Sequence, residues 1–302
     1  AITALLAALS ALRQTAIKAV LAYSTISHLG FLLIGIGTGT TEYAYLHLIT
    51  HAFFKCGLFL PAGAVIHALH EAQHHSGNHF DAQNQRKMGG LGRKMRLTMV
   101  CYIIFGAALA GLPLTSGFLS KDGIVLQAAG LFQWAPLLWI IPTFAVLASF
   151  LTAFYITRHG LLIFAGKPRM DKNTYAQVRK INWKMAIPLV LLALCSTWLS
   201  YSPLHPFHAE ISWAGRLPDS IVGGEIALLP IGLTILALSA AGLAYMSWKN
   251  GAFFRENNAS GFGRLLESHF FIDQLYEKYM AAAFLQLAHG LAWFDKRIVD
   301  GR

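Results

Sequence analysis

The chain has 302 residues, of which 55% are hydrophobic and 13% charged, with a formal net charge of +10. A soluble globular domain carries roughly 45–50% apolar and about 25% charged residues, so the composition excludes a soluble enzyme and points to an integral membrane protein. The basic residues lie in short loops between apolar runs, not on one amphipathic face or in a tail, which argues against nucleic-acid binding.

Apolar segments run over 1–12, 19–38, 43–70, 97–132, 134–164, 184–202 and 225–248. The first is too short for a hydrocarbon core of about 30 Å, and residue 1 is Ala. The chain is therefore read as opening partway through a helix, as the C-terminal part of a longer polypeptide, and no targeting segment is judged from that start. Segment 97–132 is much longer than the roughly 20 residues of one crossing and too short for two with a turn. Gly111, Pro113, Thr115, Ser116 and Gly117 at its centre predict a single broken helix. From His269 onward, charges at Asp273, Glu277, Lys278, Asp295, Lys296 and Arg297 flank a short apolar centre. That pattern predicts an interfacial or lateral helix on the cytoplasmic side, within a region 249–302.

Loop charges test the count. With 97–132 as one crossing, Arg13 and Lys18, the run Arg86 to Arg96, the run Lys167 to Lys180, and Lys249 with Arg255 all face one side. The opposite loops, 39–42, 132–134 and 203–224, contribute only Arg216 to the basic residues. The positive-inside rule makes the basic side cytoplasmic or matrix, and two crossings in 97–132 would destroy the agreement.

Within 43–70, His47, His51 and Lys55 recur every four residues and stack on one helix face over roughly 12 Å. An intramembrane charge costs on the order of 3 kcal/mol, so such residues usually line a polar cavity and carry ions or protons. The bland alternative for the histidines is neutral imidazoles hydrogen-bonded to neighbouring helices. A metal site from the same pair lacks a third suitable ligand, and none is expected. Lys121 and Asp122 follow the break, where freed backbone groups demand enclosure by protein or a wet cavity. Burial and the positive end of the helix restarting near Ser120 oppose a charge on Lys121, whereas Asp122 favours it; the alternative is a structural ion pair. Lys18, Tyr23, Ser24, Thr25, Ser27 and His28 form a polar start to segment 19–38, with Lys18 either feeding protons inward or anchoring the helix. His67, His70, His74, His75 and His79 are read as a solvated loop, and Arg158 as an anchor or interhelical partner. Cys56, Cys101 and Cys195 are isolated, and no phosphate-cradling loop, CxxC array, nucleophile elbow or dinucleotide fingerprint appears, so no cofactor is expected in this chain.

The blocks QTAIKAVLAYSTISHLGF, HLITHAFFKCGLFLPAGAVIHALH, QRKMGGLGRKM and ALAGLPLTSGFLSKD, in this order over residues 14 to 122, resemble the antiporter-like subunits of respiratory complex I and the related Mrp-type sodium/proton antiporters. IHALH and FFIDQLYEKY look most like the subunit-L branch of that family, and LTAFYITR extends the match. The resemblance implies an all-α, polytopic transmembrane helix bundle, with 1–164 as the second of two inverted antiporter-like units, two additional crossings in 165–248 and the lateral-helix region after them. It also implies roles: Lys55 as the central lysine of a proton channel, His51 and His47 as the histidines leading to it, Lys121 beside Asp122 as the terminal lysine, and Lys18 as a cytoplasmic-side lysine. Ala16, Ile17, Lys18 and Ala19 depart from the family's usual Asp-Ile-Lys plus basic pattern, and His28 stands where Gln is common.

The reading is a proton-translocating subunit of NADH:quinone oxidoreductase in the bacterial inner membrane. By the resemblance, NADH, FMN, iron–sulfur clusters and quinone belong to partner subunits of complex I. The alternatives are an Mrp-type antiporter subunit driven by an ion gradient, and an antiporter-like membrane subunit of a hydrogenase or bicarbonate-uptake complex that has lost transport.

Overall fold

The structure is a computed structural model that describes residues 1–78, 80–130, 136–197, 228–254, 268–271, 274–299 and 301. Among them no strand forms, and the only β pairing is two isolated bridges, Ala16 with Asn84 and Thr115 with Thr197. Two units result, residues 1–255 and 256–302.

The first unit is a helical bundle: α1 (Ile2–Arg13), α2 (Ile17–Gly37), α3 (Thr41–Ser76), α4 (Arg96–Ala110), α5 (Ser116–Gly130), α6 (Ile140–Phe164), α7 (Lys172–Gln177), α8 (Trp183–Cys195) and α9 (Leu228–Lys249). Helices α2, α3, α6 and α9 are each long and apolar enough to cross a membrane. Small residues set the closest approach. Ala4, Ala8 and Ala11 of α1 are fully buried, and a Cβ on Gly30 of α2 would lie 2.7 Å from the Ala4 nitrogen. Such small-residue contacts let backbones meet where lipid supplies no hydrophobic drive.

The broken helix forms as α4 and α5. Gly111 ends α4 with φ at 79°, in the left-handed conformation that favours glycine, and Leu114 also has positive φ at 65°. The gap is tied down by the Ser116 amide donating to the Ser196 carbonyl at 3.0 Å, which joins the break to the end of α8. Gly117 is required here, because a Cβ would sit 1.7 Å from the Ala108 carbonyl oxygen.

Two basic loops meet on one side of the bundle. Asn78 Nδ2 donates to Asp171 at 3.2 Å, Tyr175 Oη to the Gly90 carbonyl at 2.9 Å, and Lys94 Nζ to the Ala176 carbonyl at 3.2 Å. Arg169 donates to the carbonyls of Arg86 at 2.7 Å, Gln85 at 3.1 Å and Leu162. Burial lowers the pKa of Arg169 to about 10, which leaves it a cation at neutral pH. The stretch between these loops therefore leaves and returns to the same side, with α4–α5 as one crossing and α6 as the other.

One expectation needs correction. Helix α3 does not give way to a loop near residue 70 but continues to Ser76 and stops at Gly77, φ 72°. His67, His70, His74 and His75 therefore ride on a helix. Ala72 and Gln73 are buried there, Gln73 Nε2 donates to the Phe80 carbonyl, and His67 faces Glu71 at 3.9 Å one turn on, which holds the extension in place. His79 and Arg216 lie outside the described residues.

Among its described residues the second unit has a short 3-10 turn at His269–Phe271 and a longer helix, π-helical over Leu275–Met280, α-helical over Ala281–Phe294 (α10) and π-helical again over Asp295–Val299. No side chain of α10 is buried.

Candidate functional site

The four-residue spacing puts His47, His51 and Lys55 on one face of α3, and all three are buried, at 0%, 6% and 5% exposure. That face meets the face of α2 made by Leu21, Ser24 and His28. His28 Nδ1 lies 3.1 Å from His47 Nε2, and the His28 ring stacks against His51 with centroids 5.3 Å apart. On its other side His47 Nδ1 pairs with Ser120 Oγ of α5 at 2.9 Å, and Thr50 Oγ1 pairs with the same hydroxyl at 2.9 Å. Three histidines from two helices and one serine beyond the break thus form a continuous buried row.

Lys55 continues the same face one turn beyond His51 and reaches α2. Its Nζ donates to the Leu21 carbonyl at 3.0 Å and to Ser24 Oγ at 2.7 Å, while Tyr155 Oη of α6 donates to the same Ser24 at 2.8 Å. A carbonyl and a hydroxyl hold the ammonium without a carboxylate. The hydroxyl matters because it can both accept and donate, so the contact survives whether Lys55 is ammonium or amine. On the opposite face of α3 the packing against α4 is close, since a Cβ on Gly57 would lie 2.2 Å from the Phe105 ring.

Lys121 is fully buried and reaches back across the break. Its Nζ lies 3.4 Å from the carbonyls of both Leu109 and Ala110, and 5.4 Å from the centroid of the Phe31 ring. Those carbonyls are among the last of α4, the negative end of its dipole, so the break supplies the partner that lipid cannot. The expected influence of a helix start near Ser120 is corrected accordingly: the helix restarts at Ser116, and Lys121 turns toward the other helix's end. Asp122 is also buried, at 6% exposure, but turns toward Gly111, where an added Cβ would lie 3.0 Å from Oδ1. Among the described residues its Oδ2 has no hydrogen-bond partner. Lys121 turns to the α4 carbonyls and Asp122 to Gly111, a divergence that follows from the turn of about 100° between successive helical residues.

Toward the basic side, Arg158 is buried, donates to the Gln14 carbonyl at 3.2 Å and lies over the Phe253 ring. It is an interhelical partner in this geometry. Lys18 is exposed at the start of α2 and is not brought to Lys55. Among the described residues no three His, Cys, Asp or Glu side chains converge as a metal site.

Residues that the sequence reading left as background enter this site. His28 and Ser24 were part of a polar stretch, and their spacing of four is the signal that both face one way. Ser120 and Tyr155 carried no signal of their own, since only the register between helices brings them to His47 and Ser24.

The family model described as "NADH:quinone oxidoreductase/Mrp antiporter, TM" matches residues 1–152. Among curated relatives, the chloroplastic NAD(P)H-quinone oxidoreductase subunit 5 of Nephroselmis olivacea is 34% identical over 99% of this chain and 46% of its own length. NADH-quinone oxidoreductase subunit L of Escherichia coli (strain K12) is 34% identical over 98% of the chain and 45% of its own length. NADH-ubiquinone oxidoreductase chain 5 of Dictyostelium discoideum is 42% identical over 67% of the chain and 28% of its own length. The chain thus spans about half or less of the length of the relatives it matches. With the broken helix and its all-α membrane bundle, the chain belongs to the NADH:quinone oxidoreductase/Mrp antiporter transmembrane family.

Proposed function

We propose that this chain is the proton-conducting part of a membrane subunit of NADH:quinone oxidoreductase, a bacterial complex I, and moves protons through a buried Lys/His relay driven by quinone reduction elsewhere in the assembly. The observation that carries this reading is the buried file itself. Lys55 is held through Ser24 by Tyr155, and His28, His47 and Ser120 run in contact toward the broken helix that bears Lys121. Lys55, His51, His47, Lys121 and Asp122 are assigned to the path, and Lys18 to its cytoplasmic-side approach. Residues 1–164 act as the transport unit, 165–248 as added crossings and 249–302 as the lateral region.

NADH, FMN, iron–sulfur clusters and quinone are placed in partner subunits, and no redox step in this chain. The membrane is taken as a bacterial inner membrane, which the Escherichia coli relative fits; the chloroplastic relative, matched along 99% of the chain, fits an organelle membrane equally well. The test is NADH-driven proton uptake in inverted membrane vesicles carrying the full-length protein with Lys55→Ala, with electron flow to a soluble acceptor as the assembly control. Collapse of uptake with that control intact is the expected result. Unchanged uptake overturns the reading, and sodium-dependent, NADH-independent exchange lost in the same variant would reassign the chain to the Mrp-type branch.

A further inference from the structure

A second buried polar pair, on the basic side of Lys55, has no place in the file described above. Tyr102 of α4 and His159 of α6 are 5% and 0% exposed, and Tyr102 Oη lies 2.6 Å from His159 Nδ1. The same hydroxyl lies 3.1 Å from the Ile156 carbonyl, and His159 Nε2 lies 3.3 Å from the Ile17 carbonyl of α2. We propose that His159, switched by the Tyr102 hydroxyl, is the proton-carrying group that loads Lys55 from the basic side. The inference rests on the proton-conduction reading and adds a residue to it.

The hydrogen-bond geometry accommodates the imidazole in both charge states. When neutral, His159 donates Nε2–H to the Ile17 carbonyl, which can only accept, and Nδ1 accepts the Tyr102 hydroxyl proton. When protonated, it donates from both nitrogens, and the Tyr102 hydroxyl turns its proton to the Ile156 carbonyl. Only one hydroxyl rotation separates the two arrangements, and neither leaves a buried imidazole nitrogen unpaired. A histidine with a merely structural role needs only one of them.

The pair is also aimed at Lys55. Nε2 contacts the Ile17 carbonyl and Lys55 Nζ the Leu21 carbonyl, four residues on along the same face of α2, a rise of about 6 Å that bridging water can span. On α6, His159 follows Tyr155 by four residues, so the two also share a face. Through the bridging water the imidazolium gives up its Nε2 proton and the Lys55 amine becomes an ammonium; the imidazole is left with hydrogen on Nδ1, its bare Nε2 accepting from that water, and one proton has moved. Tyr102 in turn lines a cavity of about 310 Å³ that shares Met99 and Phe164 with an open mouth of about 620 Å³, edged by Arg93, Arg96 and Lys167. Tyr102 is thus a polar contact between that largely apolar cavity and His159.

The experiment compares His159→Gln, His159→Glu, Tyr102→Phe and Lys55→Ala in the full-length protein within its assembly. It reads NADH-driven proton uptake against electron flow to a soluble acceptor and the amount of subunit incorporated. Gln and Glu have nearly the same shape, but only Glu carries a proton. Uptake reduced to the Lys55→Ala level in His159→Gln and restored in part by His159→Glu is the expected result, with Tyr102→Phe also reduced. Wild-type uptake in assembled His159→Gln, or equal loss in both assembled His159 variants, overturns the assignment while a collapse in Lys55→Ala leaves the broader reading standing. If the His159 variants fail to assemble, Tyr102→Phe decides, and undiminished uptake in it overturns the proposal. Normal uptake in Lys55→Ala removes the broader reading and this inference together.

Discussion

Ser24 is the smallest side chain at the centre of the site and the most shared. Its hydroxyl takes hydrogen bonds from both Lys55 and Tyr155, so Ser24→Ala leaves the lysine one carbonyl and leaves the Tyr155 hydroxyl only Thr152 of its two side-chain partners. Each lost hydrogen bond costs about 0.5–3 kcal/mol, the larger figure applying to a charged donor. Ser24→Ala is therefore expected to lower NADH-driven proton uptake while the subunit still incorporates, checked by quenching of a pH-sensitive dye alongside a native gel; uptake equal to wild type would remove Ser24 from the path. Residues of this kind divide by how they could be read. His47, His51 and Lys55 were legible because their regular spacing lies within one helix. His159 and Tyr102 were not, because a lone histidine and a lone tyrosine acquire meaning only when α4, α6 and α2 pack, and sequence spacing carries no interhelical register.

The broken helix shows the same division at the scale of an element. Its existence was legible from length and from Gly111, Pro113 and Gly117, and the loop charges agreed. The partner of Lys121 was not, because it depends on the angle at which α5 folds back on α4. That fold-back requires the missing Cβ at Gly117, and Gly117→Ala drives a methyl into the Ala108 carbonyl, where backbone cannot yield cheaply. Gly63, also helical, has nothing within 4 Å of its added Cβ, and alanine there gains up to about 1 kcal/mol of helix propensity. Gly117→Ala is expected to lower the melting temperature of the purified assembly or abolish incorporation, with Gly63→Ala neutral or slightly stabilising. Equal melting temperatures for the two would mean that α5 does not lie against α4 as described. The extent of α3 past residue 70 was missed for a related reason: histidines and a glutamate end a hydropathy window but do not end a helix.

For the molecule as a whole, the clamp between residues 77–95 and 166–177 predicts a single sidedness. With Cys56, Cys101 and Cys195 replaced, the single-cysteine variants Asp81→Cys and Lys172→Cys place a thiol on each loop at an exposed position. A membrane-impermeant maleimide is expected to modify both from the same face of a vesicle, and labelling from opposite faces would refute the topology. Arg169 holds this clamp through two carbonyls of the 77–95 segment, Gln85 and Arg86, so Arg169→Ala is expected to raise protease cleavage in the 77–95 loop, read on a gel against wild type. The clamp also imposes a rule of parity. Two segments tied together on one face must be separated by an even number of traverses, so α4–α5 counts as one whatever its length. A change that split it into two traverses, or erased it, could not be absorbed locally: α8 and α9 would have to invert. The break is thus protected by arithmetic as well as by chemistry, and an insertion there is expected to fail as a whole or leave the parity of the chain untouched.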